Sequence, residues 1–247
     1  AMVPCSVFAL FFGTAMGTYT RQSGNRNMVE WVTGFNTIIT NIIKAVMHVA
    51  PIGIFCLLAN AAGSTGFKVI IPMIKFLGVL LLGDAVQFLI YGPLTAALCK
   101  VNPAKMPKKF AKMSMMAVTT TSGAICLPTK MEDTVVKFGV SRKVADFTGP
   151  ITMSMNSCGA ALCYVAAIFF MAQSTGIQLT TYQMGMAILL SCLMCMGTIV
   201  VPGGSVIVYT FLASSLGLPL ESIAVLIGID WFSGMFRTLM NVDVDVM

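Results

Sequence analysis

Four polar residues near the end of the chain are the strongest candidates for chemistry. Asp230, Arg237, Asn241 and Asp245 follow one another at intervals of 7, 4 and 4 residues. At about 100° per residue, those intervals put all four on one stripe of a helix. Asp243 falls on the opposite face. The surrounding segment, 222–242, is otherwise apolar. A charge at mid-bilayer costs at least about 2.5–3.5 kcal/mol, so such a stripe points to a functional cavity. Arg237 can offer a planar fork to a carboxylate. Asn241 can donate and accept at a second group. Asp245, with backbone carbonyls, supplies the hard oxygen ligands that an alkali cation takes. The plainer alternative is an internal Asp–Arg pair that only locks helices together.

The elements that must position this stripe are membrane-grade. Of 247 residues, 57% are hydrophobic and 10% charged, against roughly 25% charged in an ordinary soluble domain. The mean hydropathy is +0.89. Disorder, collagen-like repeats and a secreted disulfide scaffold are excluded, and a multi-pass membrane protein remains. The net charge of +6 arises mainly from clusters, not from a basic face, so no nucleic-acid partner is expected. Cys192 and Cys195 stand three residues apart in an apolar run without histidine partners, and packing is their expected role.

Residues 2–20, 31–62, 69–99 and 222–242 each make an apolar segment long enough to span, the second with Pro51 and Gly53 inside. Residues 145–173 are long but interrupted by Asn156-Ser-Cys-Gly159. Residues 113–129 are too short and too rich in Ser, Thr and Gly to cross simply. Residues 179–200 and 204–218 are two pieces split by Val201-Pro-Gly-Gly204. Interrupted segments recurring in successive halves point to a binding site built from discontinuous helices, because irregular backbone survives at membrane depth only under protein or around a polar cavity. Stretches 21–26, 100–112 and 130–143 hold 11 of the 15 Lys and Arg residues, and none lies between Val144 and Phe236. The first three are therefore expected on the cytoplasmic side, and the loops near 173–183 and 217–221 outside. On this topology residues 113–129 enter from the cytoplasm and 179–218 from outside, and a cysteine at Lys108 is not labelled from outside.

Several motifs now point to one family. Arg237-Thr-Leu-Met-Asn241-Val-Asp-Val-Asp245, following Asp230, resembles the signature of the last helix of glutamate transporter homologues, the dicarboxylate/amino acid:cation symporters. Thr119-Thr-Thr-Ser-Gly-Ala-Ile-Cys-Leu-Pro128 looks like the tip of their first re-entrant hairpin. Asn156-Ser-Cys-Gly159 sits where they carry Asn-Met-Asp-Gly. Gly197-Thr-Ile-Val-Val-Pro-Gly-Gly-Ser205 looks like the tip of their second hairpin, and Ala50-Pro-Ile-Gly-Ile-Phe55 matches an earlier scaffold helix. Each motif alone is weak; together, in this order, they cover nearly the whole chain.

The resemblance implies an all-α, multi-pass protein of the cell membrane, surrounded by lipid and assembled as a homotrimer. Residues 1–66 would be scaffold and residues 67–247 a transport domain. The latter would hold a first hairpin at about 104–130, a broken helix at about 145–173, a second hairpin at about 179–218 and the polar helix 222–247. Further helices would precede residue 1, and the last helix would continue past Met247.

Position by position, the resemblance implies that Arg237 holds a side-chain carboxylate of a small anionic substrate. Asn241, with Thr238 and backbone groups near Ser122, Gly123 and Val201, would hold another substrate group. Asp245, with carbonyls of Thr152, Asn156 and Asn241, would form one sodium site. Ser154, Cys195, Met196 and Thr198 would form a second, under a hairpin that acts as the outer gate. Na+ is the expected coupling ion, with H+ as the alternative.

Three departures bear on this reading. Ser157-Cys158 replaces the Met-Asp of the broken-helix motif, and a thiol lacks the carboxylate's charge, so fewer coupled sodium ions are expected. Ala160 replaces a threonine. Gly234 stands where amino-acid-specific members carry an aspartate for the substrate ammonium. A substrate with carboxylates and no amine, such as a C4-dicarboxylate, is therefore expected.

Other residues fit blander roles. His48, the only histidine, lies on the scaffold-like helix, with Lys44 one turn before it. Asp84 would suit a membrane aspartyl protease only with glycine at position 81, where Leu81 stands. No other enzyme motif is present, so no enzymatic activity is expected. An uncoupled, channel-like protein and a non-transporting remnant are the competing readings.

Overall fold

The computed structural model describes residues 2–35, 37–38, 41–42, 52, 55–56, 59, 63, 70–102, 105–195 and 204–247. The chain divides into two compact units, 1–56 and 57–247. Every regular element among the described residues is helical.

In the first unit, helix α1 (Met2–Ser23) ends at Gly24, whose φ of 68° and amide bond to the Thr20 carbonyl form a left-handed terminus. Residues 27–35 are helical again, and the Asn25 side chain accepts from the Asn27 amide at 2.9 Å to open them.

The second unit runs through α2 (Ile70–Cys99), α3 (Met106–Thr120), α4 (Gly123–Val136), α5 (Arg142–Met155), α6 (Cys158–Ser174), α7 (Thr181–Cys195), α8 (Gly204–Leu216) and α9 (Ile223–Val244). Among the described residues, three stretches are long and apolar enough to cross a bilayer: Ile70–Cys99, Arg142–Ser174 and Leu220–Val244. The second contains a break. Asn156 and Ser157 take extended and irregular backbone angles, separating α5 from α6. Helices α3, α4, α7 and α8 have 15, 14, 15 and 13 residues. At about 1.5 Å per residue, each falls short of the roughly 30 Å hydrocarbon core. Between α3 and α4 the chain turns within two residues, Thr121 (φ 49°) and Ser122. The left-handed Thr121 donates its amide to Ala117, closing α3.

The main core lies where α6, α8 and α9 meet α2 and α7. Tyr164, Ile168 and Met171 pack with Val208, Tyr209, Leu212, Leu226, Ile229, Phe76 and Leu80. Small residues let the backbones approach. A side chain at Gly83 of α2 would collide with Leu162 of α6. A second cluster joins Met106, Phe110, Met113 and Ala117 of α3 to Cys126 of α4 and Val242 of α9. Helix α9 is thus buried on two faces, against α6 on one and α3 on the other. Leu81, Leu82, Leu89, Ile90 and Leu98 of α2 stay exposed, as a lipid-facing surface requires.

Candidate functional site

Helix α9 carries the stripe, and its neighbours determine what each polar group does. Arg237 is 13% exposed, and its Nη1 lies 3.7 Å from Asp230 Oδ1. That Nη1 is buried and makes no hydrogen bond. The same Asp230 oxygen accepts from the Ser205 hydroxyl, at the start of α8, at 2.5 Å. The guanidinium carbon lies 5.9 Å from the centre of the Tyr164 ring, within cation–π range. Tyr164 is braced edge-on by Tyr209, ring centres 5.7 Å apart. The fork is therefore oriented by a carboxylate and an aromatic face, yet keeps donor capacity for an anion.

The turn between α3 and α4 comes to this guanidinium at Gly234. A Cβ built on Gly234 would lie 3.6 Å from Thr121 Cβ and 3.7 Å from Arg237 Nη2. Both are ordinary van der Waals distances, so a Cβ is accommodated at a position the sequence leaves bare. Ser122 and Gly123, at the same turn, are buried.

One turn further along α9, Asn241 Oδ1 accepts from the amides of Gly159 and Ala160, at 2.9 and 3.3 Å. These are unpaired first-turn donors of α6, so Asn241 caps the helix that restarts after the break. Gly159 is required for the approach. A Cβ there would sit 2.6 Å from the Arg237 carbonyl and 2.8 Å from Met240 Cβ.

The last turn holds a buried ion pair. Lys130 Nζ of α4 lies 2.6 Å from Asp245 Oδ2, both side chains 3% exposed. The same ammonium donates to the Gly149 carbonyl at 3.0 Å and to the Thr152 hydroxyl at 3.4 Å. Asn156, in the break, donates its side-chain amide to Asp245 Oδ1 at 2.9 Å. Both carboxylate oxygens are thereby engaged. The carbonyls of Thr152 and Asn241 accept from the amides of Asn156 and Asp245. This group does not fit a free sodium ion. An ion within about 4 Å of the lysine nitrogen would meet roughly 4 kcal/mol of repulsion at an effective dielectric of about 20.

The remaining expected residues are placed as follows. Thr238 is buried beside Arg237. Cys195 is buried, and Ser154 is exposed with its hydroxyl donated to Pro150 at 3.2 Å. Ser154 keeps its oxygen lone pairs, the ligand type a hard cation takes. Met196, Thr198 and Val201 lie outside the described residues, as do Lys44 and His48.

Sequence reasoning missed Lys130, Thr121, Ser205, Tyr164 and Tyr209. It also gave no partner to Asp243, whose two oxygens accept from the Ser114 hydroxyl of α3 at 2.9 and 2.8 Å. Lys130 had a legible signal. Gly123, Cys126, Lys130 and Asp133, at intervals of 3, 4 and 3, form the buried stripe of α4. Asp84 of α2 is also buried, with Oδ2 unpartnered in hydrogen bonds.

Comparison with known proteins decides the family. The model of the sodium:dicarboxylate symporter family matches residues 1–247, the whole chain. The chain belongs to the sodium:dicarboxylate symporter family. It is 29% identical over 235 residues to a proton/glutamate-aspartate symporter of Bacillus subtilis, covering 95% of this chain and 56% of that protein. It is 30% identical over 246 residues to a proton/glutamate-aspartate symporter of Escherichia coli, covering 98% and 55%. Excitatory amino acid transporter 2 of mouse is 27% identical over 240 residues, covering 95% and 41%. The chain thus spans about half the length of these relatives. Family membership and the long apolar helices make it an all-α, multi-pass membrane protein.

Proposed function

We propose that the protein carrying this chain is a secondary active symporter that moves a small dicarboxylic anion across the cell membrane by alternating access. The observation that carries this reading is Arg237, a guanidinium buried in an apolar helix with a hydrogen-bonding nitrogen left unused. A carboxylate is the ligand whose geometry matches that fork. Asn241 and Thr238, with backbone groups near Ser122, Gly123 and Val201, complete the substrate site.

The absence of a carboxylate at Gly234 favours a substrate without an amine, a C4-dicarboxylate. Acidic amino acids are the second reading, favoured by the glutamate and aspartate that the bacterial relatives carry. The coupling cation belongs to the second expected group, Ser154, Cys195, Met196 and Thr198, with sodium favoured by the family and a proton the alternative. The two short helix pairs act as re-entrant hairpins, the second, at about 179–218, as the outer gate. Residues 1–66 serve as scaffold in a homotrimer, and 67–247 move against them.

The test is uptake of labelled succinate and aspartate into proteoliposomes by the full protein, with and without an inward sodium gradient. Gradient-driven succinate uptake that is lost in Arg237→Ala is expected. Uptake unchanged in a well-folded Arg237→Ala protein refutes the assigned role. Aspartate uptake in preference to succinate moves the conclusion to the second reading.

A further inference from the structure

The Asp245 group disagrees with the cation site that the family resemblance implies, and the disagreement has a definite form. The Lys130 ammonium has three protons, and three oxygens receive them: Asp245 Oδ2, the Gly149 carbonyl and the Thr152 hydroxyl. Two more observations show that the arrangement is built. Gly149 admits α4 closely, since a Cβ there would lie 2.8 Å from Met131 Cγ, next to Lys130. Asn156, in the break between α5 and α6, turns the carboxylate by holding its other oxygen. The oxygens come from α5 and the end of α9, and the nitrogen from α4. A carboxylate, a carbonyl and a hydroxyl are also the ligand types of an alkali cation.

We propose that Lys130 is a tethered cation: its ammonium occupies a cage of oxygens that would otherwise take a free alkali ion. The Asp245 carboxylate is then neutralised by the protein itself, and no sodium ion is taken up at this group. A charge that a sodium-binding cage would gain and lose in each cycle is here permanent. That consequence for ion coupling rests on the symporter reading; the occupancy of the cage does not.

The test uses the full protein purified in detergent, without transport, so its failure is separable from a failure of uptake. Thermal midpoints are recorded in choline chloride and on replacement by NaCl or KCl at constant ionic strength. In Lys130→Ala, saturating NaCl or KCl is expected to raise the midpoint by at least about 4 °C more than in wild type, the size produced by a ligand well above its dissociation constant. The gain is expected to vanish in Lys130→Ala/Asp245→Asn. An Lys130→Ala protein that responds like wild type overturns the proposal, as does a gain that persists in the double variant. Should Lys130→Ala not fold, Asp245→Asn alone decides. It is expected to lower the midpoint equally in choline and sodium, whereas loss of a sodium-dependent rise overturns the proposal.

Discussion

Replacing Gly234 by aspartate tests the substrate reading most directly. A Cβ at 234 meets Thr121 Cβ at 3.6 Å and Arg237 Nη2 at 3.7 Å, so the first atom of the new side chain is in ordinary van der Waals contact. Its helix position is interior, where Gly→Asp does not worsen the backbone propensity. The new carboxylate stands beside the guanidinium and next to the turn at Thr121–Gly123. There it can accept from a substrate ammonium, an interaction worth about 1.5–3 kcal/mol net when charged. That converts to about 10- to 100-fold in relative affinity. The same carboxylate competes for Arg237 when no amine is present, so succinate weakens while aspartate gains. The assay is inhibition of labelled succinate uptake by unlabelled aspartate and succinate in proteoliposomes, wild type against Gly234→Asp. The ratio of the two inhibition constants is expected to shift at least about 10-fold toward aspartate. An unchanged ratio would refute the reasoning that Gly234 withholds the counter-charge for an amine, and a wild type already preferring aspartate would do the same.

Two further outcomes follow from the packing of α9. Gly159→Ala drives a methyl to within 2.6 Å of the Arg237 carbonyl and 2.8 Å of Met240 Cβ. It is expected to cost about 1–3 kcal/mol, lowering the thermal midpoint by several degrees and reducing substrate affinity through displacement of Arg237; a midpoint equal to wild type contradicts the close approach. Asp245→Leu alone leaves the Lys130 ammonium buried without its carboxylate and is expected to cost about 3–5 kcal/mol, whereas Lys130→Met/Asp245→Leu costs less than either single change. Denaturant or thermal unfolding in detergent measures the cycle, and additive single effects would show that the two groups are not a pair.

How much of this could be read from the chain depends on which distances run along an element and which run between elements. The intervals 7, 4 and 4 placed Asp230, Arg237, Asn241 and Asp245 on one stripe. In the structure that stripe meets α8, α6 and α4 in turn, because a helix keeps its register whatever packs on it. The break at Asn156 was legible for the same reason: an Asn-Ser pair before a glycine interrupts an apolar run locally. What comes alongside was not legible. Gly159 lies 78 positions before Arg237, yet it abuts that residue's carbonyl. By its spacing Asp243 falls on the far face of α9, but the helix is buried on both faces, and Ser114 of α3 supplies the far side with its hydroxyl.

Lys130 shows the difference most sharply. Counted by segment, it is one of four basic residues between 130 and 143, and a positive-inside argument assigns it to the cytoplasmic surface. Counted by register on α4, it follows Gly123 and Cys126 on the inward stripe, and its nitrogen ends 2.6 Å from the last carboxylate of α9. The two counts disagree because loop charge is a statement about an average position, whereas burial depends on the 3.6-residue phase. A basic residue on a short helix should therefore be assigned by its helical phase before it is counted as topology. Here that change of assignment converts a surface charge into the counter-ion of Asp245, and with it the ion requirement of the group.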